Sequence, residues 1–202
     1  MLLVEITPDT LLGRLLFANE RQRCRKVIQV ETQMSTEQFH TNCVNTMPRI
    51  ELQTEINATK ELVFDLSRSI DLHKISTEHT NEEAVAGITS GLIGLNESVT
   101  WRAKHFGIYQ KLTSKVTEFD RPNYFVDEMV NGAFKSFRHQ HHFIDLNGGT
   151  LMTDIFDYKS PLGILGKLVD KLFLKKYMID LLEERNRIVK EFAESDKWKE
   201  II

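Results

Sequence analysis

The chain changes its residue period once, and that change limits the folds open to it. From Glu97 to Tyr158 apolar and polar residues alternate in runs broken by tight-turn residues; after Ser160-Pro161 the apolar residues fall at helical spacing, at Leu165, Leu168, Val169, Leu172, Phe173, Ile179, Leu182 and Val189. Alternation sets one side of a strand against a core, whereas a period of about 3.6 residues gives a helix with an apolar stripe. The alternating part divides at Gly107, at Asp120-Arg121-Pro122-Asn123, at Asn131-Gly132 and at Asn147-Gly148-Gly149. Five strands joined by such turns predict an antiparallel meander. The helical run predicts one long helix ending near Phe192, with its "EERNR" segment read as a solvated face.

Before the meander, Ile50, Leu52 and Ile56 predict a strand, and "NATKELVFDLS" a short helix capped by Asn57 or Thr59. "SIDLHKIS" reads as a second helical turn capped by Ser69, and "GITSGLIGLNES" as a glycine-rich loop without the Gly-Lys-Ser/Thr ending of a phosphate loop. "SPLGILGKL" reads as helix punctuation or a lid hinge, and "LTSK" fits no serine-nucleophile arrangement.

Composition narrows the class. With 26 Lys+Arg against 29 Asp+Glu in 202 residues, the net charge of −3 offers no positive field for nucleic acid. Cys24 and Cys43 are too few for a disulfide framework, which suits a cytoplasmic location, and no apolar run is long enough to span a bilayer. Residues 1–46 lack a sustained apolar period and are expected to form an N-terminal extension, either a flexible arm, a start-site artefact ahead of Met47 or a helical dock. Residues 47–202 are expected to form one domain.

The order strand, two short helices, antiparallel meander, long helix is α+β. On "TEINATKELVFDLSRSID", "TSKVTEFDRPNYFVDEMVNGAF", "FRHQHHF" and "GGTLMTDIFDYKSPLGILGKLVD", the chain resembles the START-like (SRPBCC, polyketide cyclase-like) superfamily. That resemblance implies a helix-grip fold, a curved antiparallel sheet wrapped around the C-terminal helix with a ligand cavity between them. It also implies a hydrophobic or amphipathic small-molecule ligand of lipid, polyketide-like or isoprenoid type. A homodimer and association with a short-chain-dehydrogenase-like protein are the partner readings it leaves open.

Strand alternation nominates the cavity residues. Phe137, His139, His141 and Phe143 share one face of their strand, while His142 takes the other; Met152, Asp154 and Phe156 align on the next strand, and Phe125, Asp127 and Met129 on an earlier one. Ile108, Gln110, Leu112 and Val116 form another inward set, and Trp101 and His105 belong to a fifth. Apolar wall is therefore expected from Trp101, Phe125, Phe137, Phe143, Met152 and Phe156, with Phe173 and Tyr177 from the helix. His105, Gln110, Asp127, His139, His141 and Asp154 supply the polar groups.

Four accounts of the histidines stay open. They are a structural His–Asp pairing, a polar network selecting a ligand, a catalytic dyad of His139 or His141 with Asp154 in a cyclase, aromatase or hydratase, and zinc. An interaction module is a further functional class. No metal and no cofactor are expected, since neither cysteine ligands nor an HExxH spacing accompanies the histidines.

Overall fold

The computed structural model describes residues 48–105, 107–159 and 173–202. The expected extension at 1–46, the glycines of "SPLGILGKL" and the start of the long helical run lie outside the described residues. The elements are β1 (Arg49–Ile56), α1 (Lys60–Ser67), α2 (Ile70–Ser76), β2 (Glu83–Gly87), β3 (Ser98–His105), β4 (Ile108–Asp120), β5 (Tyr124–Asn131), β6 (Ser136–Leu146), β7 (Gly149–Lys159) and α3 (Lys175–Ala193).

The expected meander is present as β3 to β7, and β1 and β2 complete a seven-stranded antiparallel sheet in the order β1-β7-β6-β5-β4-β3-β2. Since β1 and β2 lie on opposite edges, α1 and α2 must carry the chain from one edge to the other. Register breaks in β4, between Thr113 and Ser114 and between Val116 and Glu118, are the irregularities that bend a strand and raise its twist. At the β1–β7 junction a Cβ on Gly149 would sit 2.5 Å from the Ile56 carbonyl oxygen, so only glycine lets the two backbones approach this closely.

Local chemistry explains the helix ends. Ser69 caps α2 as expected, its Oγ accepting from the Leu72 N–H at 3.2 Å. Thr59 holds the cap position of α1 without a side-chain capping bond. Ile108, expected to face inward, is 66% exposed because it stands at the tip of the β3–β4 hairpin, past the reach of the core.

The helix α3 packs against β1, α1 and α2. Below it the core divides. One cluster holds Phe64, Phe125, Phe143, Met152 and Val189; a second holds Ile50, Phe137, Phe156, Tyr158 and Leu182; a third gathers Ile70, Val99, Trp101 and Val116. Phe64 is 0% exposed and meets Phe119, Phe125 and Phe143 edge-on at 5.3, 5.5 and 5.3 Å. Replacing so enclosed a ring leaves a cavity as well as losing transfer energy. Phe64→Ala is therefore expected to cost about 3–5 kcal/mol in urea unfolding, while Val130→Ala, at an exposed strand end, should stay within ~0.5 kcal/mol.

Candidate functional site

Between the sheet and α3 lies a cavity of about 670 Å³. Its walls include Val99, Ala103, Leu112, Val116, Phe137 and Phe156 from the sheet and Met178, Leu181 and Leu182 from α3. Of the expected site residues, Trp101, His105, Gln110, Phe125, Asp127, Phe137, His139, His141, Phe156, Phe173 and Tyr177 line it. Phe143, Met152 and Asp154 do not. Phe143 and Met152 are covered by α1: Phe64 sits on the first, and Ser67 Oγ lies 3.4 Å from the sulfur of the second. Asp154 does point inward, but it is 1% exposed and sealed beneath the histidines.

The strand pattern sets out a polar hub. His141 pairs directly opposite Asp154 on β7 and opposite Phe125 on β5, while Asp127 lies opposite His139. All four polar side chains emerge on the same face, within reach of one another. His139 Nε2 bonds to Asp154 Oδ1 at 3.0 Å, and His141 Nε2 bonds to Asp127 Oδ1 at 3.1 Å. His141 Nδ1 stands 2.7 Å from Asp154 Oδ1, and His139 Nδ1 stands 3.8 Å from Asp127 Oδ1. The His141 ring stacks on Phe125 at 4.1 Å, which fixes its plane.

Two residues of α3 close the hub from above. Arg185 Nη1 donates to Asp154 Oδ1 at 3.3 Å, and its Nη2 donates to the Ser67 carbonyl at 2.9 Å; Asn186 Nδ2 donates to Asp154 Oδ2 at 2.7 Å. Both are buried, at 7% and 3% exposure, so the reading of "EERNR" as a solvated face holds for its neighbours but not for these two. A signal was present: Arg185 falls three residues after Leu182 and four before Val189, on the apolar stripe itself. A charged residue there needs a buried partner.

A second polar group sits among His73, Glu82, His105 and Tyr177. His105 Nδ1 lies 2.7 Å from the Tyr177 hydroxyl, and His73 Nε2 lies 3.4 Å from Glu82. The His73 ring also stacks on Trp101 at 4.2 Å. Alternation along strands could not find His73 or Glu82, which lie on α2 and ahead of β2. Burial pushes the Glu82 carboxyl up, but the His73 imidazole overrides it and holds the acid below its ordinary value.

The same competition operates in the hub. Burial would raise the Asp154 carboxyl, yet His139, His141 and Arg185 hold it well below the usual carboxylate range; Asp127 is lowered too, by His141, His139 and Arg185 against the same effect of burial. Burial, reinforced by His141, depresses His139 to about 4. Asp127, His139 and His141 present one ligand atom each within 4.8 Å of one another, which makes them the described residues able to hold a metal ion.

A pH effect on folding follows. Because the folded His139 titrates near 4 and the unfolded imidazole near ~6.5, the unfolded chain takes up the proton first as pH falls. Its contribution is complete above the unfolded value and is lost on the way down toward the folded one, by roughly 3 kcal/mol at most. The low-lying Asp127 and Asp154 contribute above ordinary carboxylate values and lose their contribution only in more acid solution. Urea unfolding in metal-free buffer is expected to weaken steadily from pH ~6.5 to ~4.5; a flat profile there would contradict a neutral buried His139.

No family model matches the chain, and no curated protein matches it. Solved structures do. A protein of Thermus thermophilus superposes with a TM-score of 0.59 at 22% identity over 71% of this chain and 95% of its own. A START superfamily protein from Mycobacterium smegmatis gives 0.56 at 14% identity over 72% and 97%. The major latex-like protein 151 of Panax ginseng gives 0.55 at 15% identity over 73% and 97%. These likenesses carry the architecture and not the chemistry, and with the sheet order, the two short helices and the C-terminal helix described above they establish that the chain has the START-like (SRPBCC) helix-grip fold.

Proposed function

We propose that the chain binds one hydrophobic or amphipathic small molecule of lipid, polyketide-like or isoprenoid type in this cavity. The ligand body lies against Leu112, Phe137, Phe156 and Leu182, and its polar end turns toward Asp127 and His141. The observation that carries this reading is the make-up of the 670 Å³ space: largely apolar and aromatic walls interrupted by polar groups, among them the Asp127–His139–His141 and His73–Glu82–His105–Tyr177 sets. Affinity then comes mainly from apolar area, at about 25 cal/mol per Å², and selectivity from the hydrogen-bonding groups, which reject ligands that leave them unpaired. Ile108 and Phe173, both exposed, stand at the hairpin tip and near the start of α3, where they extend the apolar surface outward.

One observation favours a catalytic second reading as a cyclase, aromatase or hydratase. The His141–Asp127 pair opens on the cavity, where an imidazole can exchange a proton with a bound carbonyl or hydroxyl. A homodimer, a short-chain-dehydrogenase-like partner and a cytoplasmic location remain proposals. Among the described residues no helix is long and apolar enough to cross a membrane.

Native mass spectrometry of the full chain tests the binding reading, with organic extraction of whatever is released. The expected result is an organic adduct of a few hundred daltons. Ala103, buried on the cavity wall opposite Gln110, offers the control: Ala103→Trp fills the space and should lower occupancy at least about tenfold while the chain stays folded. Equal occupancy in both proteins would place the ligand elsewhere. The mass of the intact particle reports the partner, and an extract whose products change in Asp127→Asn would favour turnover.

A further inference from the structure

We infer that Asp127, His139 and His141 form a binding site for a divalent transition-metal ion at the polar end of the cavity, a two-histidine, one-carboxylate set with its remaining positions open to the cavity. Three observations converge on it. The first is the orientation of the rings. His139 directs Nε2 at Asp154, which leaves Nδ1 turned toward Asp127. His141 has Nδ1 2.7 Å from the same Asp154 oxygen and hydrogen-bonds through Nε2 to Asp127 Oδ1 at 3.1 Å, so its ring spans the two carboxylates. A metal ion seated between that Nε2 and Asp127 takes the place of the proton they share.

The second is the role of Asp154. One buried carboxylate serves both imidazoles from behind, and Arg185 and Asn186 hold it in place in turn. A metal-binding histidine commonly gives its other N–H to a carboxylate, which sets its tautomer and aims its lone pair. Here a single carboxylate does this for two rings whose centroids are 3.8 Å apart.

The third is charge and spacing. Asp127 and Asp154 bring two negative charges to the hub, and Arg185 brings one positive charge. Nδ1 of His139 faces the Asp127 carboxylate, and once a metal ion displaces the proton held between His141 Nε2 and Asp127 the centre is a set of acceptors around one cation. Ligands about 2.0–2.2 Å from a shared ion are roughly 3–3.5 Å from one another. The His141–Asp127 spacing of 3.1 Å already fits, and the His139–Asp127 spacing of 3.8 Å needs to close by a few tenths of an ångström. All three residues line the cavity, so a water molecule or a ligand oxygen can complete the coordination. The mixed nitrogen and oxygen set suits zinc, iron(II), cobalt or manganese better than a thiophilic ion. This site can exist whether or not the cavity holds an organic ligand, so its failure and that of the binding reading are separable.

Cobalt(II) is the probe. The full chain is stripped with a chelator, exchanged into buffer and titrated with Co²⁺ by calorimetry and visible absorption, then challenged with Zn²⁺. One equivalent per chain is expected, displaced by zinc. Asp127→Asn should weaken binding by about 100-fold or more, and Asp154→Asn, which misaligns the rings without removing a ligand, by roughly 10–100-fold. His142→Ala, on the opposite strand face, should leave binding unchanged. If Asp127→Asn fails to fold, the wild-type cobalt protein decides alone, since paramagnetically shifted ring protons from His139 and His141 identify the ligands. The inference is overturned if the wild type takes up no stoichiometric cobalt, or if those shifted signals belong to other residues. It is equally overturned if nitrogen NMR in the presence of cobalt shows His141 carrying protons on both ring nitrogens, in which case the cation at this place is a proton.

Discussion

A single carboxylate organises the interior. Asp154 is taken fully out of water on β7 and compensated from two sides: β6 supplies His139 and His141, while α3 supplies Arg185 and Asn186. A buried charge of this kind stabilises nothing by its mere presence, because desolvation cancels much of the attraction; removing one of its partners costs on the order of 3–5 kcal/mol. Its effect is therefore specific. The helix can lie across the sheet in one axial position, the one that puts Arg185 over Asp154, and from there the same guanidinium reaches the Ser67 carbonyl at the end of α1.

The cavity follows from that constraint. Beyond the hub, α1 covers β6 and β7 with Phe64, and the space is filled with rings. On the near side, small or short residues such as Ala103 and Ser114 face the helix, and the interior stays open. The polar hub marks the boundary between the filled and the open part. It places one set of hydrogen-bonding groups against a chamber whose walls are mostly apolar.

Much of this was legible in the sequence because strand alternation is a strict two-fold signal. Phe137, His139, His141 and Phe143 are all buried, and so are Met152, Asp154 and Phe156, as the pattern requires. What alternation cannot report is what lies above the face. It assigns Phe143 and Met152 to the same surface as Phe137, and only the placement of α1 makes the first two core and the third cavity wall. Arg185 and Asn186 were obscured for another reason. In "EERNR" the exposed Glu183 and Arg187 surround them, and the tight helical period lets one turn serve water and core at once. His73 and Glu82 reach the cavity from elements with no period long enough to read.

The way Arg185 ties three elements together divides the molecule into a part that resists change and a part that invites it. Side chains around Asp154 are mutually dependent, so substitutions there must come in sets or not at all. Those at the other end, from Ala103 and Leu112 to Met178 and Leu181, touch the cavity through apolar contact alone and can vary one at a time with modest cost. A lineage built on this chain can thus change which molecule it accepts while keeping the means by which it holds the polar end.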